Sequence, residues 1–480
     1  MTLAIQQRLF GSQIHSEELG LLFKATTNYN WDIIEQKVES KFRKSALDFH
    51  RTSKSSTKST CPLNQQQQTE FLPLLGIEVK KSQLSVSNNP KGAGCKPQPF
   101  IAFIKAFKLA PIIYVEQNCV AIHLALLTNT DFFDICGFKY VPAERTLQDF
   151  DQIMAYYGLW EMVRDIAYQQ NVDNKIIVEE QEDTLNIDNT HQPAYSAPSK
   201  SIKECRECPF FKECVSKVST DQTADWYVKS KCKIFYAHQI GMAQLSKSGA
   251  PVSRIVLNGK QYEPDSLEPL LKDIKDKRPN LNISKVVFDG IFNKEPSKKM
   301  VHQYFPQAQV YAPVIANRGT KEIKNPARGI KKITKHGNVH CIADNTLVFL
   351  SKDENLKAFI LACPVYNSEA RSKLIHLGID VDKITCHLKE QCSPNSTQGR
   401  VFRLKKELVP QINWELPQIS YAHKIVYYLR TKIERLFGLM KKRYKMNYLY
   451  KRGIENTKAH IDKFMSLMHL IANVNGYYPV

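Results

Sequence analysis

Tyr427, Arg430, Glu434 and Lys441 are three, four and seven positions apart. In a helix, at ~100° per residue, they fall within about 60° of arc. Ile425, Leu429, Ile433, Leu436 and Met440 supply an apolar stripe on the same segment. One carboxylate then shares a face with two cations and a phenol, which suits a metal-binding acid beside groups that grip phosphates. Two aspartates offer partners. Asp188 ends the alternating segment TLNID, in which Leu185 and Ile187 should face a core. Asp289 ends the apolar run VVFD, and Gly290 permits a tight exit. Acids at the C-terminal ends of strands stand where open α/β sheets build their sites. Each also has a plainer role: strand-end Asp residues cap turns, and a helical Glu pairs with its neighbours.

The elements that must position these groups follow from the pattern. A helix is expected over Trp31–His50, then a polar linker, SKSSTKSTCPLNQQQQTE. From about 72 to 170 the pattern is helical, with Leu147, Phe150, Met154 and Tyr157 at helical spacing. Short strands then appear in KIIVEE, TLNID, KIFYAHQIGM, SRIVLNG, SKVVFDG and QVYAPVIAN, with helices alternating among the later ones. That order indicates a mixed α/β sheet. We divide the chain into a helix and linker over 1–70, a helical domain over 71–172, an α/β domain over 173–473 and a tail over 474–480. The Lys- and Cys-rich stretch at about 314–413 reads as an insertion. One long helix is expected from Ser420 to Tyr444, and another over Glu455–Asn473.

The chain has 480 residues, room for two to four domains. With 43% apolar, 24% charged and 10% aromatic residues, it is not wholly disordered, collagenous or a coiled coil. The formal charge of +20 calls for a polyanionic partner, nucleic acid first and an anionic membrane surface second. From Gln398 onward, 16 Lys and Arg face 5 Asp and Glu, so more than half the excess sits in the last sixth of the chain. Tyrosines interleave with those cations, and aromatic rings can stack on bases. No stretch approaches the ~20 apolar residues of a spanning helix, and no secretory leader is evident at the N-terminus.

The spacing Tyr427-x2-Arg430-x3-Glu434-x6-Lys441 resembles the Y-R-E-K signature of bacterial insertion-sequence transposases of the DDE type. VVFDGIF resembles that family's second acidic motif, with Asp289, Gly290 and Phe292. TLNIDNTH resembles its first, with Asn189 where the family usually has Gly, followed by Thr190. The resemblance covers about residues 75–470. It implies a ribonuclease-H-like catalytic core, a mixed five-stranded sheet flanked by helices, after a mainly helical N-terminal region with a DNA-binding role. By resemblance, Asp188, Asp289 and Glu434 are the catalytic acids and metal ligands. They would hold two Mg²⁺ ions, for which Mn²⁺ can substitute, since three close carboxylates need cations. Tyr427, Arg430 and Lys441 would contact DNA. The implied reaction cleaves at the terminal inverted repeats and joins the 3′-OH to target DNA. The implied partner is double-stranded DNA, with a homodimer in the transposition complex, no membrane, and a cytoplasmic, nucleoid-associated location. Two alternatives stand beside it: a catalytically inactive DNA-binding relative, and a metal-dependent nuclease without strand transfer.

Asp221, in STDQTADWYVKSK, competes with Asp188 as first acid. It matches a TD-x-x-A segment common in the family, and with Asp225 it is read as auxiliary. Cys205, Cys208 and Cys214 are spaced as ligands of a structural zinc, with Cys232 as a fourth. Cys363, Cys386, His387 and Cys392 form a looser second group. Buried free thiols are the plainer reading of both.

Overall fold

The computed structural model describes residues 16–55, 98–196, 221, 223–230, 233–313, 321–409 and 412–480. In chain order, α1 is Ser16–Thr27, α2 Trp31–Ser55, α3 Phe100–Leu109, α4 Cys119–Thr128, α5 Thr130–Cys136, α6 Glu144–Tyr156 and α7 Leu159–Asp173. Strands β1 Thr184–Pro193, β2 Asp225–Ser230, β3 Lys233–Leu245 and β4 Pro251–Asn258 follow. Next come α8 Leu267–Lys277, β5 Lys285–Phe288, α9 Glu295–Tyr304 and β6 Gln309–Tyr311. Then β7 Ile323–Ala327, β8 Ile330–Ile333, β9 Val339–Cys341, β10 Val348–Asp353 and β11 Ala358–Ala362 precede α10 Ser368–His376, α11 Lys389–Cys392 and β12 Val401–Lys405. The chain closes with α12 Tyr421–Tyr428, α13 Thr431–Gly438, a π-helical turn Leu439–Arg443 and α14 Ile454–Asn475. The protein is therefore mixed α/β. Among the described residues no single helix is long and apolar enough to cross a membrane.

The chain forms two compact units, and neither is continuous. One comprises 1–181, 189–262 and 435–480; the other comprises 182–188 and 263–434. β1 begins in the second and ends in the first.

In the first unit, Phe42, Phe100, Phe103, Phe107, Phe150 and Trp160 are buried together, with Phe103 stacked on Phe150 at 4.8 Å between centroids. Asn118 and Asn129 start α4 and α5 by accepting the N–H of Ala121 at 2.7 Å and of Phe132 at 2.9 Å. The buried helix α14 carries Asp462, which Arg164 meets at 2.8 Å and Arg254 at 2.5 Å. Asp151 likewise holds Lys451 and Lys463, each at 2.9 Å, and these pairings keep its carboxyl well below the usual range against the effect of burial. β2 and β4 pair antiparallel with successive stretches of β3, Asp225 opposite Ala237 and Asn258 opposite His238. Where they meet, a Cβ on Gly259 would stand 2.3 Å from the Ala237 carbonyl, so only glycine fits.

KIIVEE is not a strand. The N–H groups of Ile176 and Ile177 both bond the Asn171 carbonyl, at 2.9 and 3.0 Å, and Lys175 takes φ 58°. These residues close α7 through a left-handed turn, and Glu179–Gln181 form a 3₁₀ turn.

In the second unit, β1, β5 and β6 run parallel. Leu267, Leu270, Leu271 and Ile274 make the buried stripe of α8. The stretch from 321 to 405 builds two three-stranded antiparallel sheets, β7-β8-β9 and β10-β11-β12. They share one core that includes Ile333, Val339, Phe359, Leu361 and Leu404.

Candidate active site

Strand register brings Asp188 and Asp289 together. In the parallel pair β1–β5, Thr184 lies opposite Lys285 and Ile187 opposite Phe288. Each aspartate is the next residue after that last pair. Asp289 is the first residue past β5, whereas Asp188 stands inside β1, which runs on to Pro193 instead of ending in the acid as expected; neighbouring strands lie about 4.8 Å apart. Leu185, Ile187, Val286, Val287 and Phe288 are buried. Consecutive residues are buried, so both faces of these parallel strands are covered. Asp289 caps the 3₁₀ turn Gly290–Phe292, its Oδ1 accepting from the Gly290 N–H at 2.6 Å.

The third acid arrives on a segment that is not one helix. The expected helix from Ser420 to Tyr444 is broken at Leu429 and Arg430 and widens into a π turn at Leu439–Arg443. At the break the bonds tighten to i→i−3: Arg430 N–H to Tyr427 O at 3.1 Å, and Ile433 N–H to Arg430 O at 3.2 Å. Buried Asn186, on β1, donates its Nδ2–H to the Leu429 carbonyl at 3.0 Å. A side chain reaching into the helical ladder is a recognised cause of such breaks. Here it also ties the strand of Asp188 to the segment of Glu434. Ser420 starts α12 by accepting the His423 N–H at 3.1 Å.

Arg430 stands among the acids. Its guanidinium pairs with Asp188 at 3.3 Å and with Glu434. Burial alone would lower its pKa, but Tyr427, Asp188, Glu434 and Asp289 together hold it above the ordinary arginine value. All three acids therefore act on one cation. Burial raises the Tyr427 phenol, and Asp289 adds to that rise while Arg430 opposes it; the group is an O–H donor at neutral pH. His423 lies against Tyr311, tilted at 5.3 Å between centroids, and stacks on Tyr427 at 6.0 Å. Burial, then Lys424, pushes His423 down to about 4, so its ring is neutral at pH 7. Asn186 and His423 were not singled out from sequence. A buried polar residue inside an apolar strand was the available signal for the first; none marked the second.

Among the described residues no group of three His, Cys, Asp or Glu side chains is set to hold a metal ion. The oxygen-only set of Asp188, Asp289 and Glu434 has the chemistry that hard divalent cations take. The cation paired with two of these acids is Arg430.

In the first unit, Lys441, on the π turn, bonds Thr190 Oγ1 and, at 3.0 Å, the His191 carbonyl. Lys442, Arg443 and Arg452 are exposed nearby in sequence. Asp221 belongs to a different network of that unit. Its carboxylate accepts from Thr223 Oγ1 at 2.7 Å and from the Gly453 N–H at 2.9 Å, with His238 at 3.8 Å. These bonds outweigh burial and lower its pKa. Asp225 caps its own strand, accepting the Trp226 N–H at 2.7 Å. A cleft of about 1290 Å³ in this unit is lined by Glu116, Asp151, Tyr450, Lys451 and Lys463, among others, and by none of the three acids. Its charges are mixed in sign. Cys205, Cys208, Cys214 and Cys232 lie outside the described residues. Comparison with protein-family models, with curated proteins and with solved structures gives no match, so the reading rests on these residues alone.

Proposed function

We propose that this chain is a DDE-type DNA transposase with a ribonuclease-H-like core. It binds the terminal inverted repeats of an insertion sequence, cleaves at the ends and joins the 3′-OH to target DNA. The observation that carries the reading is the register of β1 and β5, which sets Asp188 beside Asp289, together with Arg430, which Asp188 and Glu434 share. The parallel run of β1, β5 and β6 in the second unit is compatible with such a core.

On this reading Asp188, Asp289 and Glu434 hold the divalent ions. When bound, those ions supply an activated water and charge stabilisation at the leaving 3′ oxygen. The chain's own residues do the rest. Arg430, with its fixed fork of donors, would grip a DNA phosphate beside the acids. Lys441 and the exposed cations that follow it grip the backbone. The Tyr427 hydroxyl donates to a phosphate oxygen. A homodimer brings the two element ends together.

A second reading, a DNA-binding relative without catalysis, draws on the guanidinium paired with Asp188 and Glu434. One experiment separates the two: a plasmid carrying the DNA that flanks the coding sequence, incubated with the purified chain and Mg²⁺ or Mn²⁺. The transposase reading expects cuts at short inverted repeats and joining of the freed 3′ ends. Salt-sensitive binding with no cut in either ion would leave the second reading.

A further inference from the structure

We propose that Cys341, Cys363, Cys386 and Cys392 bind one structural zinc ion in the cavity they line. This site is separate from the three acids and independent of the transposase reading.

The four thiols come from four segments: the end of β9, the residue after β11, the loop after the 3₁₀ turn Val381–Lys383, and the end of α11. They converge on one cavity of about 20 Å³, closed also by Tyr366 and Arg400. That is room for about one small ion or water. Four thiols lining one cavity supply the ligand types of a tetrahedral structural zinc, and soft thiolates select such metals.

A turn follows Cys341: Asp344 takes φ 63°, and its N–H bonds the Cys341 carbonyl at 2.9 Å. The thiolate is the form that ligates, and a bound dication favours it.

The ligand segments are also fastened to one another. Asn345 Nδ2 donates to the Thr385 carbonyl at 2.9 Å, tying the Cys341 turn to the residue before Cys386. Gly399, at φ +70°, lies so close that a Cβ would meet the Cys363 Cβ at 3.0 Å. Between Cys363 and Val401 there is no strand, only short helices and turns, so a cross-link here would anchor a segment that the two small sheets do not. As placed, the four side chains do not form a metal-holding group, so binding requires the thiols to draw together.

The test uses the full chain with Cys205, Cys208 and Cys214 replaced by Ser, so that any zinc at that trio is removed. Elemental analysis of protein purified without added metal should give about one zinc per chain. Cys386→Ser with Cys392→Ser in that background should abolish it. If this variant does not fold, the parent still decides: an organomercurial should release the zinc as four thiols are titrated. Cobalt in place of zinc should show thiolate-to-metal charge-transfer absorption. Absence of zinc, loss of zinc with the Cys205 trio, or disulfides joining these four cysteines would overturn the proposal.

Discussion

Replacing Arg430 by Gln should tighten Mg²⁺ binding. Arg430 pairs with Asp188 and Glu434, and its charge also feels Asp289. Two unit charges about 4 Å apart attract by about 4 kcal/mol at an effective dielectric of 20. Water reduces that here, because the Glu434 side chain is 48% exposed and Arg430 20%. Partly exposed pairs bring roughly 1–2 kcal/mol in all. A divalent ion entering among the acids must displace that interaction, so its absence should strengthen binding by a factor of about 5–30. The assay is a Mg²⁺ titration of the DNA-free chain, followed by calorimetry and by the rise in melting temperature. Arg430→Gln should shift the midpoint to lower Mg²⁺, and Glu434→Gln should weaken or remove the response. An unchanged or weaker midpoint in Arg430→Gln would refute the idea that guanidinium and metal compete for the same carboxylates.

Asp462→Asn should destabilise the protein by about 3–5 kcal/mol, because it leaves two buried arginines without their shared carboxylate; urea unfolding at pH 7 checks this. His423 is held neutral, with its pKa near 4 instead of 6.5. The unfolded chain takes up that proton first, so the stability it contributes is full above about pH 6.5 and is lost as pH falls towards 4. The loss is about 3 kcal/mol. His423→Phe should shrink the stability difference between pH 7 and pH 4.5 by about 2–3 kcal/mol; an unchanged difference would mean that the ring is not buried neutral.

The strands carrying Asp188 and Asp289 were legible from the alternation in TLNID and the apolar run VVF, but β1 runs on past Asp188 to Pro193 through polar residues that carry no strand pattern. The helix Ile454–Asn475 was legible from its period. What the sequence did not reveal depends on partners distant along the chain. The break at Leu429 and Arg430 goes with Asn186, which lies 243 positions upstream of the carbonyl it bonds, and no local pattern encodes that. KIIVEE has strand composition, but two amide bonds back to Asn171 turn it into a helix end. Asp225–Ser230, not among the expected strands, is a strand because β3 offers its edge. Cys341 escaped the looser cysteine group because it stands 22 positions before Cys363, and only folding places it on the same cavity.

The central claim is that Asp188, Asp289 and Glu434 act as one set. The most direct measurement is cleavage of a supercoiled plasmid bearing the flanking DNA, in Mg²⁺, by the parent chain and by Asp188→Asn, Asp289→Asn and Glu434→Gln. Asp221→Asn serves as the comparison, since its carboxylate is engaged by Thr223 and Gly453. The expected result is cutting by the parent, none by the three variants although each still binds the DNA, and at most a reduced rate for Asp221→Asn. Cleavage at the parent rate by any of the three, or its loss in Asp221→Asn with Asp188→Asn still active, would contradict the assignment.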